Sequence, residues 1–205
     1  LPAGWCGVFG LKPSLGRVPI DPPYTGRAAG PMTRSVADAA VMMAALSLPD
    51  TRDTMSLPYQ AIEWHSFDAG VDKLKGLRIG LQLDAGCGMP VEADVLAAVQ
   101  RAADLFAQAG AVVEPMAPFL TREMLDGMDH FWRMRSHVDM NALPPERKAK
   151  VLPYIQAWAD SAHGMSGESV FRAQHQFYLT RLATVKACAA FDYVISPTSP
   201  VPAFA

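Results

Sequence analysis

The sequence predicts an α/β fold whose mixed sheet contains a βαβ unit flanked by helices. Three observations predict it. Leu77–Gln82 and Ala111–Glu114 are short apolar runs of strand length. Between them, Pro90–Ala109 carries Val91, Val95, Leu96, Val99, Ala102, Ala103 and Phe106 on one helical face, with Gly110 where a helix ends. Beyond them lie long helical patterns and one more short apolar run, Tyr193–Ser196, closed by Pro197. A strand, a helix and a strand in series argue for parallel pairing through a right-handed crossover.

The elements follow in order. Leu1–Val18 fits no single helix or strand, because glycines at 4, 7, 10 and 16 and prolines at 2 and 13 interrupt it. It reads as a short helical turn, a buried extended piece (Val8, Phe9, Leu11) and a turn at Lys12–Gly16. Val8–Leu11 and Tyr193–Ser196 are both expected in the core sheet. Pro19–Gly26 is loop. Gly30–Ala40 is a helix entry in which Ser35 caps and Asp38 completes a box-like pair; the helix runs through Met43 and Leu46 and stops before Pro49. Pro49–Asp72 is a long irregular connection with room for one short helical turn. Thr121–Leu143 reads as helix, broken by Pro144-Pro145. Glu146–Leu152 and Pro153–His163 are helical with a bend at Pro153, and Ser166 caps a long helix over Glu168–Ala190. That helix carries Val170, Phe171, Phe177, Tyr178, Leu182, Val185 and Cys188 as one apolar face.

Composition narrows the function. The chain has 205 residues, 50% of them hydrophobic and 19% charged, with a formal net charge of −2. The charge gives no electrostatic case for nucleic acid or an anionic membrane, and no apolar run reaches the ~18 residues of a bilayer span. The low charged fraction suits a piece whose surface is partly interior in a larger protein. Cys6, Cys87 and Cys188 are odd in number and widely spaced, which points to free thiols in a reducing, cytoplasmic setting.

Common catalytic motifs are absent: the sequence has no G-x-S-x-G, H-E-x-x-H, Walker A or G-x-G-x-x-G pattern, and no metal-spaced Cys/His set. Three constellations remain. Asp126, His130 and His137 lie at i, i+4 and i+11 of one predicted helix, where metal or acid–base work is conceivable; the bland alternative is packed or exposed histidines beside a helical carboxylate. Lys12 and Ser14 are close enough to suggest a lysine–serine hydrolase pair, yet Pro13 between them makes a structural turn the plainer reading. Thr198 and Ser199 follow a predicted strand, where ligand sites of α/β sheets gather, and are candidate substrate-binding residues; a proline-stiffened turn is the alternative.

Several stretches resemble the amidase-signature hydrolases. Leu1-Pro2-Ala3 matches the last three places of that family's glycine- and serine-rich signature. Cys6-Gly7-Val8, Gly10-Leu11-Lys12-Pro13-Ser14 and Gly16-Arg17-Val18 resemble the segment that follows the nucleophile. Gly30-Pro31-Met32 with Val36-Ala37-Asp38-Ala39 resembles a further recurring pair, and Pro197-Thr198-Ser199-Pro200 the stretch after a late strand. The resemblance covers Leu1–Leu46, Asp72–Glu114 and Phe191–Ala203; Thr121–Ala190 matches in pattern only. It implies part of an amidase-signature fold: residues 1–205 as an incomplete part of one domain, with a helical, substrate-side region at about 120–190. It implies hydrolysis of a carboxamide through a Ser–cisSer–Lys triad without a cofactor, the triad lying upstream of Leu1, so that this chain alone is inactive. Lys12 is not the family's catalytic lysine. Trp132, Met134, Trp158 and Phe171 suggest an aryl or alkyl acyl group, with core packing as the alternative for each. The implied partners are a small-molecule amide and either a second copy or the missing parent segments. A non-catalytic scaffold or an amidotransferase-type subunit is the second functional class.

Overall fold

A computed structural model describes residues 1–64 and 71–204, the side chain of Val71 excepted. The predicted connection at Pro49–Asp72 falls partly at 65–70, outside the described residues; its last part is a single 3₁₀ turn at Val71–Leu74. The chain forms two compact units. The first is Leu1–Leu77, Val91–Val112 and Ser196–Ala205, and the second is Arg78–Pro90 and Val113–Ile195.

In the first unit the chain opens with the one-turn helix α1 (Pro2–Trp5) and then β1 (Phe9–Gly10). β1 pairs antiparallel with β2 (Met32–Thr33), Phe9 opposite Thr33 and Gly10 opposite Met32. This corrects two expectations. Phe9–Gly10 belongs to this two-stranded sheet and not to the sheet that holds Tyr193–Ile195, and Met32–Thr33 is a strand before it becomes a helix entry. A two-residue strand has no period to read; it exists because Gly10 and Leu11 meet Pro31 and Met32, with Leu11 N–H donating to Pro31 O at 3.1 Å.

Helix α2 (Val36–Leu46) starts as its sequence dictates. Ser35 Oγ accepts the Asp38 N–H at 3.1 Å and donates to the Asp38 carboxylate at 2.8 Å. α2 buries Ala39, Ala40 and Met43, while Val36, Val41, Met42 and Leu46 stay exposed. Helix α3 (Ala93–Gln108) half-buries Val95, Leu96, Val99 and Phe106 and fully buries Ala103, the predicted face. It ends at Gly110, whose φ of +94° supplies the left-handed turn expected there.

In the second unit lies the parallel sheet, of order β4–β3–β5, whose β4 draws its first residue from the first unit. β3 is Arg78–Leu81, β4 Val112–Pro115 and β5 Tyr193–Ile195. β3 and β5 run parallel, Ile79 opposite Tyr193 and Leu81 opposite Ile195. Val112 N–H donates to Leu77 O at 2.8 Å and Met116 N–H to Leu81 O at 2.9 Å, so β4 runs in the same sense. The predicted βαβ unit is therefore present, with α3 as its connection. Arg78, the first residue of β3, bonds to residues of both neighbouring strand segments. Its backbone exchanges bonds with Asp192, N–H to carboxylate at 2.8 Å and carbonyl from Asp192 N–H at 2.8 Å, and its guanidinium meets Glu114 at 2.9 Å.

The remaining helices are α4 (Arg122–Asn141), α5 (Pro145–Lys148), α6 (Pro153–Asp160) and α7 (Gly167–Cys188). Of the predicted helix at Glu146–Leu152, only the single turn of α5 forms. α4 packs on α6 and α7. Phe131, Trp132 and Phe177 meet edge to face, with Phe131 and Phe177 centroids 5.1 Å apart. The backbones of α4 and α7 approach closely at Gly127, where a Cβ would strike the Gln176 side chain. α7 corrects another expectation: its apolar residues do not form one face. Val170, Phe177 and Cys188 are half-buried, whereas Phe171, Tyr178, Leu182 and Val185 are exposed. Adjacent positions such as 170 and 171 lie ~100° apart on a helix, so they flank a packed stripe on one side only.

Candidate functional site

The stretch that carried the strongest sequence signal is held by backbone geometry. Val8 N–H donates to Ala3 O at 3.0 Å, folding the extended piece back on α1. Gly10 is required there: a Cβ would lie 2.5 Å from Ala3 Cβ. Gly16, at φ +80°, lies against the Met55 carbonyl and accepts the Leu57 N–H at 2.8 Å. Asp53, only 6% exposed, clamps the segment beyond: Oδ2 accepts from Ile20 N–H at 2.9 Å and Oδ1 from Met55 N–H at 2.7 Å.

The loop after β5 belongs to the same unit as this stretch. Phe204 meets Trp5 edge to face at 5.1 Å, and Pro200 O accepts the Glu92 N–H at 2.9 Å, fixing the loop to the start of α3. Within it Thr198 is exposed and Ser199 half-buried, with Ser199 Oγ accepting from Val201 N–H at 3.4 Å. Two separate pieces of sequence, Leu1–Val18 and the proline-rich segment at 197–204, are thus brought together around one aromatic contact. Sequence reasoning named both pieces but had no signal for the Trp5–Phe204 pair, which joins residues at opposite ends of the chain.

The other constellations dissolve. Lys12 and Ser14 are both exposed, so the turn supplies no desolvated lysine to act as a base. Asp126 is paired with Arg122 at 2.7 Å, His130 is exposed, and His137 turns to Asp160 of α6. Among the described residues no group of His, Cys, Asp or Glu side chains could hold a metal ion. A hollow of about 510 Å³ lies along α7 beside Glu123, Phe171, His175 and Gln176, but its acids are already engaged: Glu123 with Gln176 at 3.2 Å and Glu168 with Arg172 at 2.8 Å. Trp132 packs in the aromatic cluster, and Trp158 stacks under Arg133 and donates to Asp129 at 3.3 Å. Both are therefore spent on packing, while Phe171 is 72% exposed.

The sequence model of the family described as Amidase matches residues 1–205. The chain belongs to that family. A glutamyl-tRNA(Gln) amidotransferase subunit of Staphylococcus aureus (strain JH9) is 37% identical to this amidase chain over 120 residues, 57% of this chain and 24% of that protein. A bacterial aryl acylamidase of the amidase signature enzymes superposes with a TM-score of 0.79 at 25% identity, covering 100% of this chain and 45% of that one. The peptide amidase of Stenotrophomonas maltophilia superposes with a TM-score of 0.70 at 26% identity, covering 97% of this chain and 46% of that one. The amidase chain thus spans 24% of the curated relative and 45% of the aryl acylamidase. Among the described residues, no helix is long and apolar enough to cross a membrane.

Proposed function

We propose that these residues are the part of an amidase that follows its nucleophile. The whole protein hydrolyses a linear carboxamide to a carboxylate and ammonia or an amine. In this reading a neutral lysine draws the proton of the nucleophilic serine through a cis-serine, and backbone N–H groups hold the oxyanion. All of these lie upstream of Leu1, and the 205-residue chain alone is inactive. The observation that carries the reading is the superposition of the complete chain on 45% of an aryl acylamidase. That neighbour also favours an aryl or alkyl amide as substrate. Residues 1–205 count as an incomplete part of one domain, with the helices at about 120–190 on the substrate side.

Thr198 and Ser199 are assigned to substrate binding. Support comes from the loop's position beside Leu1–Val18 and from the exposed Thr198 hydroxyl. A cytoplasmic setting rests on three free cysteines.

The test compares the 205-residue chain with the same chain extended by its native upstream reading frame, on an aryl amide such as para-nitroacetanilide. Turnover is expected from the extended chain only, and Thr198→Val in that chain should raise KM more than it lowers kcat. Turnover by the 205-residue chain that disappears on Lys12→Ala or Ser14→Ala overturns the reading.

A second reading is an amidotransferase-type subunit or a non-catalytic scaffold, favoured by the 37% identity to an amidotransferase component. It predicts that the extended chain hydrolyses amides only with a partner protein, or never. A lysine and two serines in the upstream glycine-rich segment would argue for catalysis over a scaffold.

A further inference from the structure

Four side chains of the helical layer form a hydrogen-bonded row. Lys148 Nζ of α5 stands 3.0 Å from Asn141 Oδ1, Asn141 Nδ2 is 2.9 Å from His137 Nε2, and His137 Nδ1 is 3.3 Å from Asp160 Oδ1 of α6. The direction of every bond follows from its ends. A lysine ammonium can only donate, so the oxygen of the Asn141 amide must face it. The amide nitrogen then faces His137 and donates, so Nε2 carries no proton. The imidazole proton is therefore on Nδ1, where it donates to the Asp160 carboxylate, which can only accept. Lys148 at one end and Asp160 at the other thus fix a neutral Nδ1–H imidazole whose side chain is only 15% exposed.

We propose that His137 is a proton-sensitive joint of the helical layer, linking α5 through Asn141 and α6 through Asp160 when neutral and holding α6 alone when charged. Proton uptake adds the proton to Nε2. Nε2–H and the Asn141 NH₂ are then two donors face to face. Turning the amide only transfers the conflict, because its NH₂ then meets the Lys148 ammonium. One bond of the row is lost either way, while the imidazolium gains charge attraction to Asp160. The α5 backbone has a hold independent of this row: Gln156 Nε2 donates to Lys148 O at 3.1 Å and to Val151 O at 2.7 Å.

The other charged groups nearby are committed elsewhere. Arg133, one turn back on α4, binds Asp129 and Ser161, and Arg135 binds Asp139. His163, beyond α6, lies edge-on with its ring centroid 5.8 Å from that of His137.

The test is side-chain ¹⁵N NMR of the 205-residue chain from about pH 8 to about pH 5, the range in which imidazoles titrate. At the upper end His137 should be the Nδ1–H tautomer, and the Asn141 amide signals should shift as the ring takes up its proton. Lys148→Gln can accept a hydrogen bond, so it frees the amide to turn, and His137 should become a mixture of tautomers. Lys148→Arg, again a pure donor, should keep the Nδ1–H form. Gln156→Ala should leave the tautomer unchanged, and His163→Gln should leave the Asn141 response in place. An Nε2–H tautomer at high pH, or a tautomer unmoved by Lys148→Gln, overturns the proposal.

Discussion

Asp53→Ala tests how the N-terminal stretch is held. The carboxylate is 6% exposed and accepts two backbone N–H groups, Ile20 at 2.9 Å and Met55 at 2.7 Å. Hydrogen bonds to a charged group contribute about 1.5–3 kcal/mol each, and an orphaned buried donor costs about 1–3 kcal/mol. Alanine removes both acceptors and leaves room for one water to satisfy one donor, so the expected loss is about 3 kcal/mol. Asparagine keeps one acceptor oxygen and sets an NH₂ against the other donor, so the loss should be about 1.5–3 kcal/mol. Against the ~5–15 kcal/mol of a typical domain this is a large fraction. Urea unfolding at neutral pH measures it, and the slope should not change. Native-state hydrogen exchange gives a second readout: the Ile20 and Met55 amides should lose protection ahead of β3. A loss under about 0.5 kcal/mol for Asp53→Ala, with both amides still protected, refutes the assignment of Asp53 as the clamp.

Gly127→Ala should destabilise by up to about 2 kcal/mol: the ~1 kcal/mol gained in helix propensity is outweighed by ~1–3 kcal/mol of overpacking against Gln176, and thermal unfolding checks the sign. At the surface, the Arg52 side chain bonded to Asp50 holds that carboxyl at about 2, below its ordinary 3.8. A depressed carboxyl contributes above its unfolded value and loses that contribution as pH falls through the folded one, so any effect of this pair lies between pH 3.8 and about 2. Carbon-detected titration should find that midpoint, and Arg52→Gln should return it to the ordinary range. Finally, sedimentation of the 205-residue chain should show self-association, because Leu1, Trp5 and Phe204 are exposed close to one another; an ordinary monomer at all concentrations tells against an uncovered face there.

Elements that encode themselves locally were legible. Ser35 and Ser166 cap α2 and α7 as their positions indicate, Ser166 Oγ accepting Ser169 N–H at 3.1 Å, and the spacing of Val95, Val99 and Phe106 marks α3. What depended on a distant partner was not. β2 is set by pairing with Phe9–Gly10 across more than twenty residues of loop, and His137 bonds to Asp160, 23 positions away, a partner that the spacing of Asp126, His130 and His137 on one helix does not indicate. For the candidate site, both segments could be named from sequence: the first by its glycines and prolines, the second by prolines that follow a predicted strand. Their meeting through Trp5 and Phe204 leaves no periodic trace.

The composition had a physical meaning that only the surface makes plain. On α2, Val41, Met42 and Leu46 lie outside while Ala39, Ala40 and Met43 lie inside, so the helix carries apolar side chains on both sides. α7 differs: Phe171, Tyr178, Leu182 and Val185 are exposed on a helix that also carries Glu168, Arg172, Arg181 and Lys186. Helices such as α2 lower the charged fraction to 19%, since exposed positions there carry aliphatic groups. The apolar residues that spoil the single-face reading of α7 are therefore exposed ones, set among charged neighbours of the same helix such as Glu168 and Arg172.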